Sequence, residues 1–214
     1  MCSFVVTNCL INEINIEKIN KFAVERGPDL TNTYVDTSSG ITWLHNLLHI
    51  TGKKTKQPFI YDDLIATFNG QIYNYKDFIS GAPSDGYSIE VAYKNNCLKE
   101  IDGEFAIVIH DKKTDTLNIL SDSFATKPCW ISVEDNKFAI SSYKSSNIAL
   151  GFKHDCTFKT KPNTLYKLRL SDLTIKTETI FNWDLTQNVN SFDRWCELFD
   201  LSIKKRIENP AEMF

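Results

Sequence analysis

The chain opens with Met1-Cys2-Ser3-Phe4-Val5-Val6-Thr7, and the expected architecture starts from these residues. The segment Ser3–Thr7 is mostly apolar or β-branched, which predicts a short buried strand. A buried strand would hold the cysteine that precedes it in one direction. Cys2 by itself is a weak signal, because a cysteine can occupy a second position by chance.

Processing would change the chemistry of Cys2. Removal of Met1 would leave Cys2 with both a thiol and a free α-amine. An α-amine titrates at about 7.7–8.0, near working pH, so it can act as base to the neighbouring thiol. One residue then supplies nucleophile and base, which is the N-terminal-nucleophile arrangement.

A second candidate element is Asn69-Gly70, within Phe68-Asn69-Gly70-Gln71-Ile72-Tyr73-Asn74. Acyl transfer needs donors aimed at the developing oxyanion, and an Asn amide with an adjacent Gly N–H can supply two of them. Glycine also allows close approach of a substrate. The competing interpretation is a hairpin turn, for which Asn-Gly is a common sequence.

Short apolar segments separated by turns dominate the rest of the chain and favour antiparallel sheets. A helical pattern covers residues 14–24, another helix is expected from Asp85-Gly86, and the first 185 residues are expected to form one domain of two sheets with helices outside. Further strands are predicted at 41–50, 64–70, 105–109, 116–121, 130–133, 137–141, 164–170 and 174–180.

Composition excludes several functional classes. A net charge of −3 in 214 residues argues against a nucleic-acid surface or a polybasic membrane patch. No apolar run has the length of a membrane span and no secretory signal is recognisable, so we expect a cytoplasmic protein. The six cysteines lack CxxC spacing, so neither a disulfide framework nor a metal site is expected, and no cofactor is implied.

Residues 186–214 are predicted to be a polar linker followed by an amphipathic helix, Ser191–Asn209. Its apolar stripe would either pack on the domain itself or form a surface for a partner, and the pattern does not distinguish the two. The stripe consists of Phe192, Trp195, Leu198, Phe199 and Ile203.

Together these motifs resemble the glutaminase domain of asparagine synthetases, a branch of the class II glutamine amidotransferases. The resemblance covers about residues 1–184, and its motifs occur in the family's order. They are Met1-Cys2-Ser3, Arg26-Gly27-Pro28-Asp29, His45, Gln57-Pro58, Asn69 to Asn74, Ser84-Asp85, Asp102 to Ala106, Asp111, Asp122 with Lys127-Pro128, and Asn182-Trp183-Asp184-Leu185.

The resemblance implies an α+β fold, the four-layer αββα sandwich of N-terminal-nucleophile hydrolases. It also implies glutamine as substrate, attacked by Cys2 to form a γ-glutamyl thioester and release ammonia. Asn69 and Gly70 would form the oxyanion hole, and Asp85 would bind the substrate α-ammonium with help from Gln71, which stands where the family has glutamate.

One departure bears on substrate choice. The family has an arginine that holds the substrate α-carboxylate where this chain has Leu47, and an alkyl chain cannot replace a guanidinium. Another cation such as Lys53 or Lys54 takes that role, or glutamine binds weakly, or a different amide is used. The last two options correspond to a non-catalytic regulatory or binding domain and to an N-terminal-nucleophile amidase.

A second departure concerns the acceptor of the ammonia. In asparagine synthetases an ATP-dependent domain follows, and the helix predicted at Ser191–Asn209 resembles its opening helix. The Gly-rich phosphate loop of that domain does not occur in this sequence. We therefore expect a separate synthetase subunit as partner.

Overall fold

The computed structural model describes residues 2–13, 15–50, 52–184, 186 and 192–207. Within these ranges the chain forms twelve strands and five α-helices. The strands are β1 (Ser3–Thr7), β2 (Leu30–Asp36), β3 (Ile41–Leu47), β4 (Phe59–Ile60), β5 (Leu64–Ile72), β6 (Gly103–Asp111), β7 (Thr116–Ser121), β8 (Trp130–Glu134), β9 (Lys137–Ser141), β10 (Thr157–Lys159), β11 (Thr164–Arg169) and β12 (Ile175–Thr179). The helices are α1 (Ile16–Asn20), α2 (Tyr75–Phe78), α3 (Ser88–Lys94), α4 (Lys144–Ala149) and α5 (Asp193–Ile207).

The strands form two six-stranded sheets. The first has the order β10-β8-β9-β1-β3-β2 and the second the order β12-β11-β7-β6-β5-β4. Every pairing in both sheets is antiparallel. The predicted pair of antiparallel sheets is therefore confirmed, with β1 inside the first sheet and β5 and β6 inside the second.

Alternating side chains build the layers, because successive residues of a strand point to opposite faces. Phe4 and Val6 of β1 lie in one apolar core together with Val108 of β6, which places that core between the sheets. Val5 and Ile107, which point the other way, belong to separate outer clusters. The continuous apolar runs in β1 and β6 thus reflect burial on both faces.

Helices cover the outer face of each sheet. Ile19 of α1 packs with Val5 and Leu44 on the first sheet, while Ile89 and Ala92 of α3 pack on the second. The order helix, sheet, sheet, helix is the predicted αββα sandwich.

Several element boundaries differ from the prediction. Of the helical pattern predicted at residues 14–24, the described residues 15–24 include only the short α-helix α1, and Phe22 is 56% exposed; residue 14 lies outside the described residues. The edge strand β2 and the helix α4 were not predicted from the sequence. For β2 the reason is that it is mostly polar and alternates between half-buried and exposed residues. β5 runs to Ile72 rather than ending at Gly70, so Asn69-Gly70 is part of a strand and not a hairpin turn.

Helix α5 falls within the predicted range Ser191–Asn209, of which residues 191, 208 and 209 lie outside the described residues, as does most of the predicted linker. Its five predicted stripe residues are 42–83% exposed. Lys205 Nζ is paired with Asp102 Oδ2 at 2.7 Å, and the Arg206 guanidinium lies 4.7 Å from the centre of the Tyr73 ring. Polar contacts at the end of α5 thus hold it to the body of the domain. No described helix combines the length and apolar character that a bilayer crossing requires.

Candidate active site

Cys2 immediately precedes β1 and is 8% exposed. Leu48 N–H donates to Cys2 Sγ at 3.4 Å, and the thiol is directed at the Leu48 carbonyl at 3.7 Å. β3 ends at Leu47, which allows the Leu48 backbone to turn toward the sulfur. Burial raises the pKa of the Cys2 thiol, and the Leu48 N–H opposes that rise. Cys2 therefore needs a nearby base to become a thiolate at neutral pH.

The predicted site residues meet around one cleft. Cys2, Gly70, Gln71 and Asp85 all line it. Asn69 is fully buried between two cleft-lining residues, Phe68 and Gly70. Residues from the start of the chain, from β5 and from the segment before α3 are thus brought to one place.

The edge of β5 that faces away from β6 is open next to this cleft. β4, the strand on that side, pairs only with Ile65 and Ala66. Beyond Ala66 no described strand pairs with this edge. Its backbone groups are therefore available to side chains or to a ligand.

Alternate backbone N–H groups of β5 point to the open edge. Phe68 N donates to Gln57 Oε1 at 2.8 Å, and Ile72 N donates to Asp85 Oδ2 at 2.8 Å. Residues i and i+2 of a strand direct their N–H groups to the same side, so the N–H of Gly70 points there too. Among the described residues it has no partner at that edge.

The pairing of β5 with β6 supports the same orientation of the Gly70 N–H. Gly70 stands across from Phe105 of β6. Phe105 N donates to Asp122 Oδ2 at 3.0 Å, and Asp122 N donates to the Phe105 carbonyl at 2.9 Å, so both backbone groups of Phe105 face away from β5. Gly70 and Phe105 are thus a non-hydrogen-bonded pair of the ladder, and the backbone groups of Gly70 face away from β6.

Position 70 requires glycine. A Cβ there would lie 2.0 Å from the Glu104 carbonyl oxygen, and the φ of Gly70 is +150°. A side chain would force β5 and β6 apart at the position where the free N–H lies.

The side-chain amide of Asn69 has no partner within the part of the chain that the structure describes. Both Asn69 Oδ1 and Asn69 Nδ2 are buried, and neither has a hydrogen bond within the described chain. Leaving one such group unpaired costs about 1–3 kcal/mol, and unpaired buried groups are uncommon enough to call for an explanation. A ligand oxygen that accepts from Asn69 Nδ2 would relieve part of this cost.

Asp85 begins the short 3₁₀ turn before α3 and is half-buried in the cleft wall. Burial raises the pKa of its carboxyl to about 6, while the N–H groups of Ile72 and Gly86 pull it down. A carboxylate that is costly to ionise gains from a cation beside it. This environment suits a bound ammonium group.

Two further groups of residues shape the cleft, and sequence reasoning assigned them no role. Gln57 Oε1 accepts from Thr67 Oγ1 as well as from Phe68 N–H, and so fixes the strand just before Asn69. Lys127 Nζ is paired with Glu104 Oε2 at 3.0 Å in the cleft wall. Their only sequence signals were the dipeptides Gln57-Pro58 and Lys127-Pro128.

Three residues of the family motifs, His45, Arg26 and Asp29, contact neighbouring elements. His45 Nε2 lies 3.3 Å from the Phe68 carbonyl, and burial lowers the pKa of its imidazole to about 4, so the ring is neutral at pH 7. Arg26 stacks on the Tyr143 ring, and Asp29 Oδ2 accepts the His49 N–H at 2.7 Å. Within the described residues no group of three His, Cys, Asp or Glu side chains could hold a metal ion.

Leu47, at the position of the family arginine, lies buried in the cleft wall. The two lysines considered as replacements have different surroundings. Lys53 lines the cleft, whereas Lys54 Nζ donates to the Asp29 carbonyl at 2.8 Å and does not line it.

Sequence comparison identifies a family. The profile of the glutamine amidotransferase domain matches residues 1–187. An asparagine synthetase [glutamine-hydrolyzing] from Bacillus subtilis is 28% identical over 63% of this chain and 23% of its own length. An asparagine synthetase domain-containing protein from Drosophila melanogaster is 27% identical over 98% of this chain and 38% of its own. The chain thus spans well under half the length of these relatives.

Structural comparison supports the fold. A glutamine phosphoribosylpyrophosphate amidotransferase from B. subtilis superposes with a TM-score of 0.62 at 13% identity. The alignment covers 89% of this chain and 50% of that protein. A structure described as the allosteric regulatory enzyme of purine biosynthesis gives a TM-score of 0.63, also at 13% identity.

The raised pKa of Asp85 predicts a pH-dependent stability. The folded protein holds the Asp85 proton more tightly than the unfolded chain, in which the pKa is near 3.8. The stabilisation is therefore complete below about pH 4 and is lost as pH rises through about 6. At pH 8 the free energy of unfolding of Asp85→Asn should then exceed that of the wild type by up to about 3 kcal/mol. At pH 5 this difference should be smaller by about 1 kcal/mol.

Urea unfolding at the two pH values measures this difference. Asp63→Asn is the matched control, because ion pairs with Lys113 and Lys94 lower the pKa of Asp63 to about 2, so its loss should destabilise the protein. An Asp85→Asn effect of the same size at pH 5 and pH 8 would contradict the raised pKa.

Proposed function

The chain belongs to the glutamine amidotransferase domain family, and from that premise we propose that it hydrolyses the side-chain amide of glutamine with Cys2 as nucleophile. The reaction releases ammonia and glutamate. Asn69 and Gly70 stabilise the oxyanion, and Asp85 binds the α-ammonium group, with Gln71 beside it in the cleft.

The proposed reaction proceeds through a covalent intermediate on Cys2. After Met1 is removed, the α-amine of Cys2 takes the thiol proton and the sulfur attacks the amide carbon of glutamine. The tetrahedral intermediate carries a negative oxygen, which accepts hydrogen bonds from Asn69 Nδ2 and the Gly70 N–H. The C–N bond then breaks, ammonia leaves with the proton from the amine, and water hydrolyses the γ-glutamyl thioester to glutamate and free Cys2.

The open edge of β5 is the observation that carries this proposal. Of the three N–H groups that point outward along this edge, those of Phe68 and Ile72 are occupied by Gln57 and Asp85, and the one at Gly70 has no partner among the described residues. The unpaired Asn69 amide lies directly beside it in the chain. Two unused donors next to a cysteine cleft are the arrangement that acyl transfer requires.

Replacement of the nucleophile gives the most direct test. Cys2→Ala should abolish glutamate release from glutamine, because no thioester can form. Cys156→Ala is the matched control, since Cys156 is a free, half-buried cysteine that does not line the cleft. Intact mass should show that active wild-type protein lacks Met1. Glutamate release that survives in Cys2→Ala would refute the mechanism and would favour a different nucleophile.

The oxyanion role of Asn69 predicts a large effect on turnover. Asn69→Ala should lower kcat about 100- to 1000-fold, because one preformed donor is lost. Asn118→Ala removes another buried asparagine of the same sheet, whose Nδ2 donates to Tyr93 Oη at 3.1 Å, and should retain turnover. Circular dichroism of both variants monitors folding. Equal loss in the two variants would show that Asn69 acts through stability alone.

We also propose that the ammonia passes to an ATP-dependent synthetase partner. The relative from Bacillus subtilis is named as a glutamine-hydrolyzing asparagine synthetase. The apolar stripe of α5 is exposed in the described chain, as an interface with a partner would require.

An ammonia-using synthetase from the same organism offers the test. With glutamine as the only nitrogen donor, it should form its amide product only when this chain is added. Trp195→Glu on α5 should reduce that transfer and leave glutamate release unchanged, because Trp195 is 61% exposed and does not line the cleft. Equal amide formation without this chain would contradict the partnership.

A further inference from the structure

The cleft needs a cation that the position of Leu47 does not supply. Under the proposed function, the bound substrate is an α-amino acid, whose ammonium and carboxylate lie on the same carbon. Asp85 matches the ammonium, but Leu47 offers only an apolar surface for the carboxylate. A carboxylate left without a cation or donors in a partly buried site would bind poorly.

We infer that Lys53 is the residue that recognises the substrate α-carboxylate. This inference rests on the proposed function and adds a specificity-determining residue to it. Lys53 lines the same cleft as Cys2 and Asp85. Within the described residues its ammonium group has no ion-pair or hydrogen-bond partner.

Of the other cations near the cleft, Lys127, Lys54 and Arg26 are engaged elsewhere, and Lys56 does not line the cleft. Lys127, the second lysine in the cleft wall, is paired with Glu104 at 3.0 Å. The Lys54 ammonium donates to the Asp29 carbonyl, and the Arg26 guanidinium stacks on an aromatic ring without lining the cleft. Lys53 is thus the lysine whose charge can be directed at a ligand without breaking a described contact.

Backbone contacts place Lys53 beside the segment that carries Asp85. Lys53 N donates to the Pro83 carbonyl at 2.8 Å. Gly52 packs so closely on that carbonyl that a Cβ there would lie 2.4 Å from its oxygen. His49 Nε2 lies 2.8 Å from the Gly52 carbonyl and braces the loop from the other side. The backbone of Lys53 is therefore held next to the segment that carries Asp85, and both residues line one cleft, as recognition of a zwitterion requires.

A comparison of two amides isolates this interaction. L-Glutamine carries the α-carboxylate, whereas 4-aminobutanamide keeps the ammonium and the side-chain amide but lacks it. Lys53→Met should raise the KM for L-glutamine about ten-fold or more, with kcat little changed, because it removes uniform binding. It should leave kcat/KM for 4-aminobutanamide unchanged. Lys53→Arg should restore L-glutamine binding, and Lys54→Met, the matched control, should behave as wild type.

Salt gives a second readout. Because Lys53 is exposed, added salt should weaken L-glutamine binding to the wild type and have little effect on Lys53→Met. A merely structural role of Lys53 would not produce this difference. Equal weakening of both amides in Lys53→Met, or no weakening of either, would overturn the inference.

Binding of L-glutamine to Cys2→Ala, measured by calorimetry, separates this inference from the proposed reaction. If Lys53→Met weakens L-glutamine binding in that background while the wild type releases no glutamate, the recognition by Lys53 stands and the catalytic proposal fails. If the wild type hydrolyses L-glutamine but Lys53→Met leaves its KM unchanged, the reaction stands and the role of Lys53 is refuted.

Discussion

The open edge of β5 is the constraint on which the site depends. A strand inside a sheet uses its N–H groups on both sides, so a ligand could not reach them. Here β4 covers only the first residues of β5, and side chains of Gln57 and Asp85 occupy the N–H groups on either side of Gly70. The backbone stays rigid because β6 pairs with the whole of β5, and among the described residues the N–H of Gly70 is left without a partner at this edge. Rigid donors of this kind need no reorganisation during a reaction.

Cys2 is positioned by the first sheet, whereas the donors belong to the second. The side chain of Ser3, the next residue, is fixed by two hydrogen bonds. Its Oγ donates to the Ala23 carbonyl at 2.7 Å and accepts from Asn46 Nδ2 at 3.0 Å. The two sheets meet through a closely packed core that includes Phe4 and Val108. Well-packed interiors resist small displacements, so this core limits movement of Cys2 relative to Asn69 and Gly70.

Two polar side chains at the cleft, Asp85 and Asn69, lower the stability of the protein without a bound ligand. Asp85 is held where ionisation is unfavourable, and the buried amide of Asn69 has no partner in the ranges that the structure describes. Both features weaken the empty fold, and a ligand with an ammonium group and a carbonyl oxygen would compensate for both. Lys127 and Glu104, in contrast, satisfy each other. Other buried atoms without a partner among the described residues, such as Trp43 Nε1 and Asn147 Oδ1, lie away from the cleft, so Asn69 is distinguished by its position beside Gly70.

The sequence by itself determined the two antiparallel sheets, the burial of β1 and the family, because apolar periodicity and ordered motifs are local features of the chain. Cys2, Asn69, Gly70, Gln71 and Asp85 could be selected from such motifs. Only the tertiary structure decided that Asn69-Gly70 lies within a strand, that Gly70 N–H points to the open edge of β5, and that Lys53 rather than Lys54 lines the cleft. These facts depend on strand register and on contacts between distant segments, such as Leu48 with Cys2, and local sequence patterns do not encode which distant groups meet.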